Sequence, residues 1–239
     1  MENKIKFEKT KAHQRYKLPD GTVVPGVTTV LGILNKPALL AWAWKLGTEG
    51  IDFRKAKDQA ADIGTIAHWL IECHLTGVEP DMADFAPNDL SRAENAVIKF
   101  MSWWDASKFT LVSSEQQLVA SVEPYFGGTL DIMAKDADGK IALIDLKTSK
   151  AIYPEYFQQV AAYGELYEQN RNFDTTIHED AISRYIICRV GKEETGDFEV
   201  QERADLKREL NIFMKCLELY KALREIKTTE NKNKQKGKE

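Results

Sequence analysis

Cysteine is scarce in this sequence. Its three copies, Cys73, Cys188 and Cys216, are odd in number and far apart. That excludes a disulfide framework and a cysteine-rich metal or iron–sulfur site, and it fits a reducing cytoplasmic compartment. No apolar run approaches the roughly 20 residues that span a bilayer, and no secretory leader pattern is visible. An excess of basic charge is missing too: 33 Lys and Arg against 37 Asp and Glu leave a net charge of −4. A strongly basic nucleic-acid face is therefore not advertised, although carboxylates that hold cations add negative charge whose effect the bound ion reverses. No Gly-rich loop precedes a helix as a nucleotide pocket requires, and there is no internal repeat. What remains is ordinary for a globular chain of 239 residues, 43% hydrophobic and 29% charged, long enough to bury one sizeable core.

The chemistry is concentrated between Gly127 and Lys150, GGTLDIMAKDADGKIALIDLKTSK. Ile141 to Leu146 is an almost unbroken apolar run, the pattern of a strand buried on both faces. Asp145 and Lys147 interrupt it with opposite charges, and buried charge is costly without a partner. Asp138-Gly139 is a turn signal, and folding the chain back about it sets Asp131 opposite residues 144–146, beside Asp145. A side-chain period of two puts Asp145 and Lys147 on one face. Two carboxylates and one ammonium thus converge at one end of the hairpin. Clustered carboxylates repel unless a cation lies between them, and hard oxygen ligands with open positions suit Mg²⁺ or Mn²⁺. An isolated D-x-K also occurs on solvated strand edges as a surface ion pair. Two neighbours set this one apart: Gly127-Gly128, which permits close backbone approach, and a Gln-x-x-x-Tyr helix directly behind.

Along the rest of the chain, residues 14–24 read as a short hairpin turning at Pro19-Asp20-Gly21. Pro37 and Gly47 bracket a short helix, Ala38 to Leu46, with Trp42 and Trp44 on different faces. Both cannot face one core, so one is a candidate platform for stacking a base, against the alternative that both pack on neighbouring helices. Asp58 to Leu75 reads as a helix with Ile63, Ile66, Ala67, Leu70 and Ile71 as its buried stripe. Gly64, His68 and Glu72 recur every four residues beside that stripe. Glycine costs about 1 kcal/mol against alanine inside a helix, so Gly64 suggests close approach by something, whereas a lone histidine such as His68 is more often a structural residue than a ligand. Ser91 and Glu94 form a capping box for a packing helix. Leu111 to Ala120 reads as a strand whose single charge, Glu115, is either a solvent-edge residue or a weaker member of the acidic site. Pro154 opens a helix to about Gln169 with Gln159 and Tyr163 one turn apart, able to look into the cleft. Strands follow at 181–190 and 197–203 with a turn from Gly191 to Gly196 between them, and Arg184 and Arg189 are either phosphate contacts or edge charges. A helix over 204–226 closes a single domain of 1–226, whose helical part is about 35–105 and whose sheet core is about 111–203. The Lys-rich stretch 227–239 lacks apolar groups and is expected to be disordered.

In this order the motifs resemble the PD-(D/E)XK nuclease superfamily, in its RecB-type and phage exonuclease branch. Gly64-x-x-x-His68-x-x-x-Glu72 looks like the helical motif, and Gly128-Thr129-Leu130-Asp131 the first acidic motif. Asp145-Leu146-Lys147 looks like the D-x-K and Gln159-x-x-x-Tyr163 the closing helix. VPGVTTVLG and its Trp-bearing helix are similar to mitochondrial genome-maintenance exonucleases. Leu130 stands where the superfamily's name has proline, a departure frequent in this branch, and three scattered cysteines remove the iron–sulfur variant. The resemblance implies an α/β, restriction-endonuclease-like core, a central mixed sheet flanked by helices, acting as a Mg²⁺- or Mn²⁺-dependent deoxyribonuclease with one or two ions. It makes Asp131 and Asp145 ligands, with His68, the Leu146 backbone carbonyl and Glu115 as additions. Lys147 would hold the attacking water, and Gln159 and Tyr163 would position it or the nucleic acid. With DNA as partner, Trp42, Trp44, Gly64, Arg184 and Arg189 become candidate contacts. Exonuclease action on DNA ends in phage-type recombination or repair is the expectation, in the cytoplasm of a bacterium or phage-infected host. The alternatives are a structure-specific or single-strand endonuclease, a nuclease-fold DNA-binding module that no longer cuts, and a small-phosphoester hydrolase. A homo-oligomer, or a recombination partner such as a single-strand annealing protein, is compatible with each nuclease reading.

Overall fold

The computed structural model describes residues 5–7, 15–171, 180–193 and 197–236, the last six of these by backbone alone. In chain order the elements are β1 (Ile5–Lys6), β2 (Tyr16–Lys17), β3 (Val23–Val24), α1 (Val27–Leu31), α2 (Pro37–Thr48), α3 (Phe53–Thr76), β4 (Pro80–Asp81) and α4 (Pro87–Ser107). Then come β5 (Thr110–Val119), β6 (Gly127–Lys135), β7 (Ile141–Lys147), α5 (Pro154–Asn170), β8 (Ile182–Val190), β9 (Phe198–Arg203) and α6 (Lys207–Lys236).

Five strands make the main sheet in the order β5-β6-β7-β8-β9. β7 and β8 run parallel, joined through α5 as a crossover demands, and the other pairs are antiparallel. The sheet is thus mixed and helix-flanked, as the resemblance implies. β7 lies at its centre with residues 141–146 all buried, which is why its sequence is apolar almost throughout. The hairpin turns where Asp138-Gly139 predicts it. Gly139 takes φ 79°, and Asp136 Oδ1 accepts hydrogen bonds from the N–H groups of Asp138 and Lys140, at 3.0 and 2.9 Å. Ile132 pairs with Ile144, so Asp131 falls level with Asp145.

Side chains of β7 alternate between two cores. Ile141 and Leu143 pack with α1, α5 and α6, while Ala142, Ile144 and Leu146 pack with α3 and α4. By that period Asp145 and Lys147 face the α5 layer. The alternation along β6 breaks at Asp131: Leu130 and Met133 belong to the α5 core, Ile132 and Ala134 to the α3 core. Across from it on β5, between the pairs Ser114–Ile132 and Gln116–Leu130, Glu115 sits at φ 48°. Both strands are irregular at the same pair of acids, a re-aiming of side chains of the kind found beside functional sites.

The largest departures from expectation are at three element ends. α3 begins five residues early because Asp52 caps it, Oδ1 accepting from the Arg54 N–H at 2.8 Å. α4 begins at Pro87 with Ala86 as its cap, so Ser91 and Glu94 lie inside the helix and form no capping box. Proline is pre-set for the first helical position, and here it decides the boundary. α6 runs to Lys236, past 226: the stretch after 226, four lysines among Thr and Asn, does not start a helix of its own but extends one already nucleated by packing. The expected tail's last residues, 237–239, lie outside the described residues, as do Gln14 of the first hairpin and 194–196 of the turn after β8. The three cysteines are buried and free. Among the described residues no helix is long and apolar enough to cross a membrane.

Candidate metal centre

Asp145 is 0% exposed. Its Oδ2 is ion-paired with the Lys147 ammonium yet accepts no aligned hydrogen bond, and its Oδ1 receives Gln159 Nε2 at 3.4 Å. Gln159 also donates to the Tyr163 hydroxyl at 2.8 Å. Lys147 Nζ lies 5.0 Å from the centre of the Tyr156 ring, a cation–π contact. Tyr156, Gln159 and Tyr163 share one face of α5 at helical spacing. That face is brought close by glycine: a Cβ at Gly128 would stand 2.6 Å from Tyr163 Cε1. Tyr16 packs over Gly127 in the same way, and its hydroxyl bonds Thr129 Oγ1 at 3.0 Å.

From the other side of the sheet α3 contributes His68. Gly64, one turn earlier, is buried with Thr148 Oγ1 only 2.7 Å from where a Cβ would be, so the helix lies directly on the end of β7. Asp131 Oδ2 accepts the Leu146 N–H at 2.8 Å and is 3.9 Å from His68 Nδ1. One ligand atom each from His68, Glu115 and Asp131 lie within 4.8 Å of one another. Glu115, a marginal candidate in the sequence, is therefore a full member of this cluster, while the Asp145 carboxylate next to it is engaged by Lys147.

The electrostatics follow from crowding. Burial, then the Lys147 charge, pushes His68 down to about 4, so the imidazole is neutral near pH 7 and its approach to Asp131 is not an ion pair. Burial raises Asp131 against the pull of Lys147 and the Leu146 N–H. Asp145 rises to about 6 through burial and Asp131, again against Lys147. Glu115 is pushed up to about 8 by desolvation in the cleft, then by Asp131 and Glu72. Its side chain also meets solvent, and water tempers that rise without reversing it. Burial works against the Lys147 ammonium, but Asp145 and Asp131 outweigh it and raise its pKa. Three carboxylates held above their ordinary range beside one lysine mark negative charge that the protein itself does not neutralise. Carboxylate oxygens with one neutral imidazole fit a hard divalent cation such as Mg²⁺ or Mn²⁺.

The remaining candidates disperse. Trp44 is 76% exposed, whereas Trp42 packs edge-on against Phe53 with ring centres 5.4 Å apart. The close approach expected at Gly64 is made by Thr148 of the same chain. Arg184 sits at the far end of the sheet opposite Ala142, gripping both oxygens of Glu202 at 2.7 Å and Asp136 at 3.1 Å. Arg189 is buried and paired with Asp197 and Glu199. Both arginines neutralise acids of the same chain. Sequence reasoning passed over Tyr156, which three-residue spacing before Gln159 signals, and Tyr16 and Thr148, whose contacts are long-range and leave no local pattern.

No protein-family model matches the sequence, and no curated protein matches it significantly. Among solved structures the chain is similar to one described only as SSO0001, at 13% identity over 56% of this chain and 62% of that one, TM-score 0.34. It is similar to the "Putative exonuclease" of Eubacterium rectale at 13% identity, covering 67% and 64%, TM-score 0.44. It is similar also to an alkaline exonuclease, LHK-Exo, of Laribacter hongkongensis at 13% identity, covering 87% and 94%, TM-score 0.39. Two of the three are exonucleases by name. The chain spans under two thirds of the length of the first two.

Proposed function

We propose that this chain is a divalent-metal-dependent nuclease that hydrolyses the phosphodiester bonds of DNA, working from ends. The observation that carries the reading is the buried Asp145–Lys147 pair set beside Asp131, His68 and Glu115 on two facing strands and one helix. His68, Glu115, Asp131 and Asp145 would hold Mg²⁺ or Mn²⁺, with the Leu146 carbonyl as a further candidate. A bound ion supplies a more acidic water and neutralises charge on the phosphoryl oxygens.

The chain's own groups do the rest. Lys147, kept protonated by Asp145 and Asp131, serves as a donor that holds the attacking water or meets developing phosphate charge, and not as a general base. Gln159, itself in contact with Tyr163, steadies the Asp145 carboxylate, and the Tyr156 ring fixes the ammonium from the other side. A DNA-binding module with no chemistry would gain nothing from clustered acids facing phosphate, which favours hydrolysis. Phage-type recombination or repair, and an oligomer or annealing partner, belong to the same proposal.

Incubation with end-labelled linear single-stranded, linear duplex and closed circular DNA, in Mg²⁺, Mn²⁺ or EDTA, tests it. Metal-dependent loss of linear DNA while circles survive is expected. Cutting of circles would make the protein an endonuclease, and binding without cutting would overturn the catalytic reading.

A further inference from the structure

We propose that Lys192, together with the Thr148 hydroxyl, forms a second phosphate-binding point beside the metal centre, one that grips a backbone phosphate flanking the bond to be cut. The inference rests on the nuclease reading and deepens it. Its ground is what packs over Gly64. A Cβ placed there would lie 2.7 Å from Thr148 Oγ1 and 3.9 Å from Lys192 Nζ. An ammonium and a hydroxyl thus converge one helical turn from His68 and one residue from Lys147.

The loop that carries Lys192 is held with unusual thoroughness by α4. Asn95 donates to the Lys192 carbonyl at 3.3 Å, Lys99 to the carbonyls of Gly191, at 3.2 Å, and of Glu193, and Arg92 pairs with the Glu193 carboxylate at 2.8 Å. One cation and an amide fix the backbone around Lys192 while Arg92 holds the neighbouring Glu193 side chain, and the result is a side chain aimed inward at α3. There its ammonium donates to the Ala60 carbonyl at 2.6 Å, and the one carboxylate whose charge reaches it among the described residues, Glu193, is itself paired with Arg92. Thr148 makes no side-chain hydrogen bond among the described residues. Arg92 nearby and partial burial together depress the Lys192 pKa to about 8, burial more than Arg92, so an anion at this point would relieve both effects. A lysine serving only to hold the helix would need neither the unpaired hydroxyl nor the proximity to His68, whose ring its charge reaches. An ammonium binds phosphate as a point charge and a hydroxyl adds a directional donor.

Binding of a labelled single-stranded oligonucleotide in EDTA, as a function of salt, separates the roles, with cleavage measured alongside in Mg²⁺. For Lys192→Gln we expect about tenfold weaker binding at low salt and a slope of log affinity on log salt shallower by about 0.7, one phosphate contact on a single strand. Lys192→Arg should keep the slope. Thr148→Ala, which leaves the Ala60 bond in place, should raise KM several-fold with the slope unchanged, and it stands in if Lys192→Gln fails to fold. A wild-type slope and KM in Lys192→Gln, or an unchanged KM in Thr148→Ala, would overturn this proposal while the wild type still cuts. A wild type that neither binds nor cuts would instead remove the nuclease reading beneath it.

Discussion

Glu115 combines a left-handed backbone inside a strand with a carboxyl pushed upward by burial, Asp131 and Glu72. A group whose folded pKa is raised stabilises the fold below its ordinary value and loses that contribution as pH climbs through the raised one. Without metal, Glu115 therefore makes stability fall as pH rises toward about 8. Asp145 acts with the same sign, but its loss is largely over by about 6. His68 has the opposite sign, being depressed, and its contribution is complete above its ordinary value near 6.5. Between pH 6.5 and 8 the loss from Glu115 outweighs Lys192, whose depressed value of about 8 adds stability only as pH nears 8: in EDTA the melting temperature should drop, and Mn²⁺ should raise it more at pH 8 than at pH 6.5, because the ion competes with protons. Glu115→Gln should flatten the EDTA profile, and a melting temperature that rose across this window in EDTA would contradict the assignment. Asp131, Asp145 and Lys147 were legible because alternation and a turn dipeptide fix their places. Glu115 stood out only as the lone charge of its strand, since neither its φ nor its acidic neighbours are written locally.

The β6–β7 hairpin and α5 form the unit that holds the acids. Their contact depends on absent side chains, so Gly128→Ala, which sets a Cβ 2.6 Å from the Tyr163 ring, should cost about 1–3 kcal/mol by overpacking. Urea unfolding would read it, and a midpoint equal to wild type would show that α5 can shift. Hairpin, α5 and β8 could be read from sequence because their signals are local: Asp-Gly, Pro154, and runs with period two or 3.6. Element ends were less legible where two local signals competed, as Pro87 did with Ser91–Glu94, or where packing extended a helix, as in α6. The joint irregularity at Glu115 and Asp131 arises from strand pairing, which no single segment encodes. The arginines misled for a related reason: Arg184 and Arg189 are balanced by acids on β9 and its approach, and only the register brings those together.

Over the whole molecule, a net charge of −4 coexists with a cluster of acids that would gather cations, so under the proposed function attraction for DNA would be local. Trp44, 76% exposed on α2, is an aromatic available for a base. Trp44→Ala should leave stability within about 0.5 kcal/mol and weaken single-strand binding by about 1–3 kcal/mol if one base stacks there; Trp42→Ala should lower stability instead. Unchanged oligonucleotide affinity in Trp44→Ala would remove that contact. The central claim, that these acids form a metal centre, is tested most directly by titrating Mn²⁺ into the wild type and into Asp131→Asn, with calorimetric detection at pH 8. Saturable binding by the wild type and its loss, with the fold intact by circular dichroism, in the variant is the expected result. No binding by the wild type, or equal binding by both, would contradict it.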